Sequence, residues 1–370
     1  MMDEASEVSG KLAGIRAILV AHGLAGVRLR GVDWFSWVTG GASSVVILTN
    51  EIGVAEVLVT AAGAWVLTDV IERARIFGEE LSPEAQAALP IHAVPWQTPA
   101  AFDEFVAAQT GKGVVASDRS RPGSSERPLP AELVALKRRL GAPEIARYRE
   151  LGAQAARAMT LALQDARPDW TEQRLAGRGA ELLWERGIHP TLVLVAGERR
   201  AETVRHPLPT PALLGRKAML VFCARRHGLY ACFTRWVCFG TPLTEDRQRL
   251  ETLAGIESRA LAASKPGARL GQISGELARA YADAGCPEEI DRHHQGGTTG
   301  YLSREAVARP DSREELEDAT ALAWNPSLPG AKLEDTMLMQ DGQFEILTHD
   351  PEWPTFARDG RSRPDFLVRP

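Results

Sequence analysis

Three histidines and one glutamate stand where they could do chemistry. His206 precedes two apolar runs and is followed by prolines that stiffen the chain around it. His293 and His294 lie in the polar, glycine-rich segment 291–305 (DRHHQGGTTGYLSRE), a composition more typical of a functional loop than of a core. An imidazole with a pKa of about 6.5 can accept and donate a proton at neutral pH. His206 and His294 are therefore candidate proton-transfer groups, and Glu334 is the third candidate catalytic residue.

Each of these residues also has a plain structural alternative. His206 could be a loop histidine bonded to backbone carbonyls, and the His293-His294 pair could simply be solvated. Glu334 could be a general base, a substrate anchor or one half of a salt bridge. Arg235 and Arg304 could each bind a substrate carboxylate through two hydrogen bonds, or belong to structural ion pairs. The predicted substrate-binding residues are Arg235, Tyr230, Arg304, Asn325 and His293.

A predicted strand hairpin is the element that must position these side chains. The apolar runs Ala218–Ala224 and Leu229–Phe239 flank the polar corner 225–228 (RRHG). Short apolar runs bounded by turn signals indicate buried strands. Around the hairpin, the sequence predicts helices at 142–165, 171–186, 244–263 and 270–284, and strands at 191–195, 320–324, 335–339 and 344–347.

The first 120 residues show strands alternating with helices, which predicts an α/β domain. We expect helices at 1–22, 70–75 and 100–108, strands at 25–29, 44–48, 54–60, 64–68, 91–95 and 114–117, and an aromatic turn at 33–37. The segment 119–130 (RSRPGSSERPLP) has the composition of a linker.

These features occur in an order that resembles the creatinase/aminopeptidase P family (peptidase M24, pita-bread fold). The features are His206, Thr234-Arg235, the loop at 293–297, Asn325-Pro326 and Glu334-Asp335-Thr336. The resemblance covers residues 140–348 well and the first 120 residues weakly. It implies a two-domain α/β fold, with a creatinase-like N-terminal α/β domain at 1–125 and a C-terminal pita-bread domain at 140–370.

The resemblance also implies five metal-ligand positions, of which this sequence keeps two. Metal-binding members hold two ions with two aspartates, a histidine and two glutamates, and His294 and Glu334 match the histidine and one glutamate. The other three positions fall on Cys232, Asn325 and either Cys223 or Val221, depending on the direction of counting. Two divalent ions need several anionic oxygens to offset their charge. We therefore predict that the protein uses no metal and no other cofactor.

Creatinase, in the same family, hydrolyses a C–N bond without a metal, and Arg304-Glu305-Ala306 is similar to a run in that enzyme. The resemblance thus implies a metal-independent hydrolase that cleaves a C–N bond of a small, polar, carboxylate-bearing molecule or short peptide, with His206 as acid and base. Three alternatives stay open. The protein could be a non-catalytic pita-bread binding protein, or a cysteine could be the nucleophile. It could also be a Xaa-Pro peptidase-like enzyme with an unusual metal site made of Cys223, Cys232, His294 and Glu334.

The composition of the 370 residues excludes several partner classes. A net charge of −5 gives no reason to expect nucleic acid or an anionic membrane as a partner. The sequence lacks an uncharged apolar run of 18 residues, and its acidic start does not resemble a signal peptide. Four cysteines do not indicate a disulfide framework. We expect a cytoplasmic protein, and the resemblance implies a homodimer.

Overall fold

The computed structural model describes residues 7–121 and 123–370. It divides into two compact units, one up to Glu144 and the other from Ile145 onward. Both units combine helices with β-sheets, which confirms the predicted α/β class. The predicted domain limits, 1–125 and 140–370, remain a prediction of where independently folding domains begin and end. Within the described residues, none of the helices combines the length and the apolar character that a membrane crossing requires.

A six-stranded sheet forms the first unit. Its strands are β1 (Gly26–Gly31), β2 (Ile52–Thr60), β3 (Ala64–Asp69), β4 (Ile91–Val94), β5 (Val115–Ser117) and β6 (Arg127–Pro128), in the order β4-β3-β2-β1-β5-β6. Its helices are α1 (Glu7–His22), α2 (Val32–Val38), α3 (Arg73–Arg75), α4 (Pro83–Ala88), α5 (Ala100–Thr110) and α6 (Ala131–Arg138), with a π-helical turn at Ile76–Glu80. The predicted helix at 1–22 begins at Glu7 among the described residues, and its first six residues lie outside them.

Two predictions for the first unit are wrong. The aromatic segment 33–37 is not a turn but lies within α2, where Trp34 and Trp37 pack edge to face with ring centroids 5.6 Å apart. A spacing of three residues puts both rings on one side of a helix, so burial of the aromatic surface favours that structure. Residues 44–48 form no strand, and the apolar side chains of Val46 and Ile47 are exposed there.

The second unit contains the longer helices and most of the strands. Its helices are α7 (Ala142–Asp165, which begins in the first unit), α8 (Glu172–Trp184), α9 (Glu198–Ala201), α10 (Thr244–Ala263) and α11 (Leu270–Asp283), followed by a 3-10 helix at Pro287–Arg292. Its strands up to Lys332 are β7 (His189–Gly197), β8 (Lys217–Arg226), β9 (Leu229–Phe239), β10 (Gly296–Thr299), β11 (Ala306–Val307), β12 (Thr320–Trp324), β13 (Ser327–Leu328) and β14 (Ala331–Lys332). The remaining strands are β15 (Met337–Gln340), β16 (Gln343–Ile346), β17 (Thr355–Arg358), β18 (Arg361–Pro364) and β19 (Leu367–Arg369).

Local signals set most of these boundaries. The Thr171 hydroxyl accepts a hydrogen bond from the backbone N–H of Arg174 at 3.1 Å, which is the N-cap that the sequence predicts for α8. The bounds of α7 and α10 are those predicted. The sequence does not predict the strands after Leu347, because they are only three or four residues long and contain no run of apolar residues long enough to indicate a strand.

The hairpin of β8 and β9 lies inside a four-stranded sheet with the order β19-β9-β8-β7. Its turn has two residues, His227 and Gly228, with φ angles of 53° and 79°. Positive φ at both central positions is what a tight hairpin turn requires. Arg225 and Arg226, predicted as part of the corner, instead extend β8 and pair with Tyr230 and Leu229.

The predicted loop at 291–305 contains a buried strand, β10, in the five-stranded sheet β11-β10-β12-β15-β16. Gly296 has a φ of 98°, and a Cβ on Gly297 would collide with the carbonyl oxygen of Ala306 on β11. The glycines are therefore required by the close approach of the strands, and not by loop flexibility.

A buried network of charges ties four parts of the second unit together. Arg363 on β18 lies 2.6 Å from a carboxylate oxygen of Glu257 on α10 and 2.9 Å from one of Asp335. Asp335 also accepts a hydrogen bond from Arg235 on β9 at 2.7 Å. All four side chains are buried, so each charge depends on its partners to offset the loss of water.

We predict that Arg363→Met lowers the free energy of unfolding by about 3–5 kcal/mol, because it leaves Glu257 and Asp335 buried with too little positive charge. Urea denaturation followed by circular dichroism measures this. Arg279→Ala is the matched control: its ion pair with Glu276 lies on the surface, and its loss should change stability by less than about 1 kcal/mol. Equal effects of the two substitutions would contradict a structural role for the network.

Candidate active site

A cavity of about 390 Å³ lies in the second unit beside the hairpin. Its wall has an apolar part and a polar part. The apolar part consists of Leu192, Leu194, Leu208 and Val221, and the polar part of His206, Cys223, His294, Ser303, Arg304, Asn325, Lys332 and Glu334. This size and this mixture are typical of sites for small molecules.

The structure brings together most of the predicted site residues. Five of them line the cavity: His206, His294, Arg304, Asn325 and Glu334. His293 contacts His206 through its ring. Tyr230 and Arg235 are not among the lining residues.

Arg235 is displaced by strand alternation, because neighbouring residues on a strand point to opposite faces. Thr234 faces the Glu334 side chain, whereas Arg235 is buried and donates hydrogen bonds to Asp335 and to the Thr348 carbonyl. Its guanidinium is thus engaged in the fold and is not available to bind a substrate carboxylate. Tyr230 lies four pairs nearer the hairpin turn than Thr234 and is likewise not among the lining residues.

Two cations hold the Glu334 carboxylate. Arg304 Nη2 donates to Glu334 Oε1 at 2.6 Å, and Lys332 Nζ lies 3.6 Å from Oε2. The Thr234 hydroxyl donates to Oε2 at 2.9 Å. Burial alone would raise the pKa of Glu334, but Lys332 and Arg304 outweigh burial and lower the pKa to about 2. The Glu334 carboxylate is therefore ionised at neutral pH, pairs with Arg304 and Lys332, and is a poor general base.

The three histidines form a cluster at the cavity. The Nε2 atoms of His206 and His293 are 3.0 Å apart, and the rings of His293 and His294 stack with centroids 4.5 Å apart. His293 is buried, whereas His206 and His294 are only partly removed from water. This loss of water lowers the pKa of each histidine, and the positive charge of Lys332 or Arg304 lowers it further. The pKa of His294 falls to about 4. All three imidazoles are consequently neutral at pH 7.

The sequence missed Lys332 and left one position open. Lys332 precedes Glu334 by two residues, and in an extended chain that spacing puts both side chains on one face, a signal that could have identified it. The other position stays open between Cys223 and Val221, because both line the cavity from β8, opposite Cys232 and Thr234 respectively.

These residues do not fit the two-metal centre that the family resemblance implies. Among the described lining residues, Glu334 alone carries a carboxylate, and cations of the chain already occupy both of its oxygens. Asn325 offers only a neutral amide oxygen, which is buried without a hydrogen-bond partner. A pair of divalent ions would thus meet two fixed positive charges and a single anion.

A single ion has a different candidate site. In residues 7–121 and 123–370, one set of three or more metal-binding side chains has all its donor atoms within 4.8 Å of one another, and it consists of His206, His293 and His294. The predicted set of Cys223, Cys232, His294 and Glu334 does not meet that condition. Three neutral imidazoles match the ligands of some zinc sites.

Comparison with known proteins gives a consistent picture of the fold. No curated protein matches the sequence of this chain. Dipeptidase PepE from Mycobacterium ulcerans has a similar structure, with a TM-score of 0.77 and 18% identity, over 99% of this chain and 98% of that one. The Xaa-Pro dipeptidase from Bacillus anthracis gives 0.76 and 17%, over 98% of this chain and 100% of that one. The N-terminal domain of FACT complex subunit SPT16 from chickpea gives 0.70 and 10%, over 93% and 96%.

At these identities the structural similarity shows the fold alone. The sequence itself supplies the family, because residues 146–341 match the model of metallopeptidase family M24. This match spans more than half of the 370 residues. The protein therefore belongs to metallopeptidase family M24.

Proposed function

We propose that this protein is a hydrolase that cleaves a C–N bond in a small carboxylate-bearing substrate, such as a short peptide, without the two-metal centre of its family. The observation that carries the proposal is the pairing of Glu334 with Arg304 and Lys332. Glu334 matches a metal ligand of the family. In this protein, the positive charges of Arg304 and Lys332 balance its carboxylate, which a metal ion would otherwise do.

The charges of the cavity favour an anionic substrate. Arg304 and Lys332 contribute two positive charges, Glu334 one negative charge, and the neutral histidines none, so one positive charge is left over. Arg304 lines the cavity, and a guanidinium can donate to a substrate carboxylate. The leucines of the wall suit an apolar side chain of the same substrate.

His206 is the proposed proton-transfer group. Because its lowered pKa keeps the ring neutral, it can take a proton from the attacking water and then give it to the departing nitrogen. The contact between the Nε2 atoms of His206 and His293 holds the catalytic ring in one orientation. His294 and Asn325 complete the polar wall and would orient the substrate.

A second candidate function rests on the histidine cluster. An ion held by His206, His293 and His294 would make the protein a metallohydrolase with a centre different from that of its family. Lys332 and Arg304 oppose this function, since their charges lower the affinity of the cluster for a cation. A non-catalytic binding role is the third candidate, and it predicts ligand binding with no turnover.

The homodimer and the cytoplasmic location remain predictions.

We expect elemental analysis of the dialysed protein to find no pair of manganese, cobalt, zinc or iron ions per chain, because the cavity lacks the anions to hold them. Two ions per chain that disappear in Glu334→Gln would overturn the proposal. One ion that is lost in His293→Asn and kept in Glu334→Gln would establish the second candidate instead.

We expect His206→Ala to lower kcat by about 10²–10⁴-fold, because it removes the proton-transfer group. KM should change by less than about tenfold, because Arg304 and Lys332 still bind the substrate carboxylate. A screen of dipeptides, N-methylated amino acids and amidines with chelator-treated protein supplies the substrate. His349→Ala is the control, since His349 is exposed and does not line the cavity. An undiminished kcat in His206→Ala would remove this histidine from the mechanism.

The lowered pKa values also predict how stability depends on pH. Unfolded histidines bind protons below a pH of about 6.5, whereas folded His294 binds one only near pH 4. Between these limits the unfolded state holds more protons, so the free energy of unfolding falls as the pH decreases from about 6.5 to about 4. His294→Gln should make this fall shallower in urea titrations across that range, and His349→Gln should leave it unchanged. Identical pH dependences for His294→Gln and the unsubstituted protein would contradict the lowered pKa.

A further inference from the structure

The two cysteines of the hairpin form a pair that the proposed hydrolysis does not use. Cys223 on β8 lies directly opposite Cys232 on β9. Cys223 lines the cavity, and Cys232 is fully buried. Both are free thiols. The pair therefore offers two sulfurs on one face of the hairpin, at the wall of the cavity.

The register of the hairpin favours a bond between them. Hydrogen-bonded and non-hydrogen-bonded pairs alternate along an antiparallel ladder, starting from the bonded pair Arg226–Leu229 at the turn. Cys223–Cys232 is the fourth pair and thus a non-hydrogen-bonded one. In agreement, the backbone N–H and C=O of Cys232 bond to the Thr336 hydroxyl at 2.8 and 2.9 Å instead of to Cys223.

Non-hydrogen-bonded pairs bring the Cα atoms to about 4.5 Å, closer than hydrogen-bonded ones. Disulfides span Cα distances of about 4.4–6.8 Å. The backbone of the hairpin can therefore accept a bond between Cys223 and Cys232 with little movement.

The electrostatics around the pair make one thiol the more reactive. A hydrogen bond from Cys223 lowers the pKa of Cys232, burial opposes that shift, and the positive charge of Arg304 supports it. The same hydrogen bond and burial raise the pKa of Cys223. Cys232 is thus the thiol of the pair that ionises more readily, and it attacks first.

We propose that Cys223 and Cys232 are a redox modification site that forms a reversible disulfide when the protein meets a peroxide. The Cys232 thiolate attacks one peroxide oxygen, the O–O bond breaks, and Cys232 becomes a sulfenic acid while water leaves. The Cys223 sulfur then attacks the Cys232 sulfur, the S–O bond breaks, and a second water leaves. In total, two thiols and one hydrogen peroxide give one disulfide and two waters, and a dithiol reductant reverses the change.

The consequence for the cavity follows from the position of the pair. Oxidation joins β8 to β9 across the wall on which Cys223 lies, and it leaves Cys232 unable to ionise beside Arg304. This inference does not depend on the hydrolase activity, because it concerns the thiols alone.

The arginines of the hairpin make the test direct. The folded protein is treated with hydrogen peroxide, its remaining thiols are blocked with N-ethylmaleimide, and it is digested with trypsin without reduction. Cleavage after Lys217, Arg225, Arg226 and Arg235 puts Cys223 in peptide 218–225 and Cys232 in peptide 227–235. We expect mass spectrometry to find these two peptides joined, and separated by dithiothreitol. Cys238 and Cys286, in peptides 236–247 and 280–292, should carry N-ethylmaleimide.

Two variants sharpen the result. Cys223→Ser should abolish the joined peptide and leave a sulfenic acid on Cys232 that dimedone traps, whereas Cys286→Ser should give the joined peptide in the original amount. The proposal is overturned if Cys223 and Cys232 both carry N-ethylmaleimide at a peroxide concentration that oxidises Cys286. It is equally overturned if the joined peptide forms only after the protein is unfolded in urea. This second criterion uses the unsubstituted protein, so it holds even if a variant fails to fold.

Discussion

The second unit depends on a carboxylate that stays charged where water hardly reaches it. Glu334 is buried, and an isolated carboxylate in such a place would take up a proton. Arg304, Lys332 and Thr234 keep it ionised. Each of the three comes from a different part of the chain, so the charge balance also holds together the hairpin, the segment after β10 and the segment that leads to β15.

The same two cations set the chemistry of the cavity. Loss of water lowers the pKa of the three histidines most, and the field of the two cations lowers it further. The imidazoles are therefore neutral and can accept protons. One uncompensated positive charge remains to attract a carboxylate. Arg304 further favours the thiolate of Cys232. Proton transfer, anion recognition and thiol reactivity are therefore linked through a single ion-pair cluster, and a substitution of Arg304 would affect all three.

Sequence patterns predicted the parts of the fold that rest on local physics. Helices α7 and α10 and the hairpin follow from hydrophobic periodicity and turn residues, which act over a few positions. Contacts between residues far apart in the sequence could not be predicted from local patterns. Arg235 was interpreted as a substrate ligand, although Asp335, about a hundred positions away, holds it in the core. Glycines 296 and 297 looked like loop residues, because the closeness of Ala306 is visible only in the folded sheet. Residue types were enough to predict most of the candidate site. Lys332 was not predicted, although its position two residues before Glu334 puts both side chains on one face of an extended chain.

The last strands have a consequence for how the chain folds as it is made. β19 runs parallel to β9 and pairs Leu367 with Val237, and Arg363 neutralises Glu257 and Asp335 from the next strand back. The pairing of Leu367 with Val237 and the ion pair of Arg363 with Glu257 each join residues that leave the ribosome more than a hundred positions apart. Until residues 361–369 emerge, β9 keeps an unpaired edge at Val237–Phe239, and Glu257 lacks its arginine. The second unit can therefore complete its sheet only after these residues have been made, and before then it exposes a strand edge that a chaperone can cover.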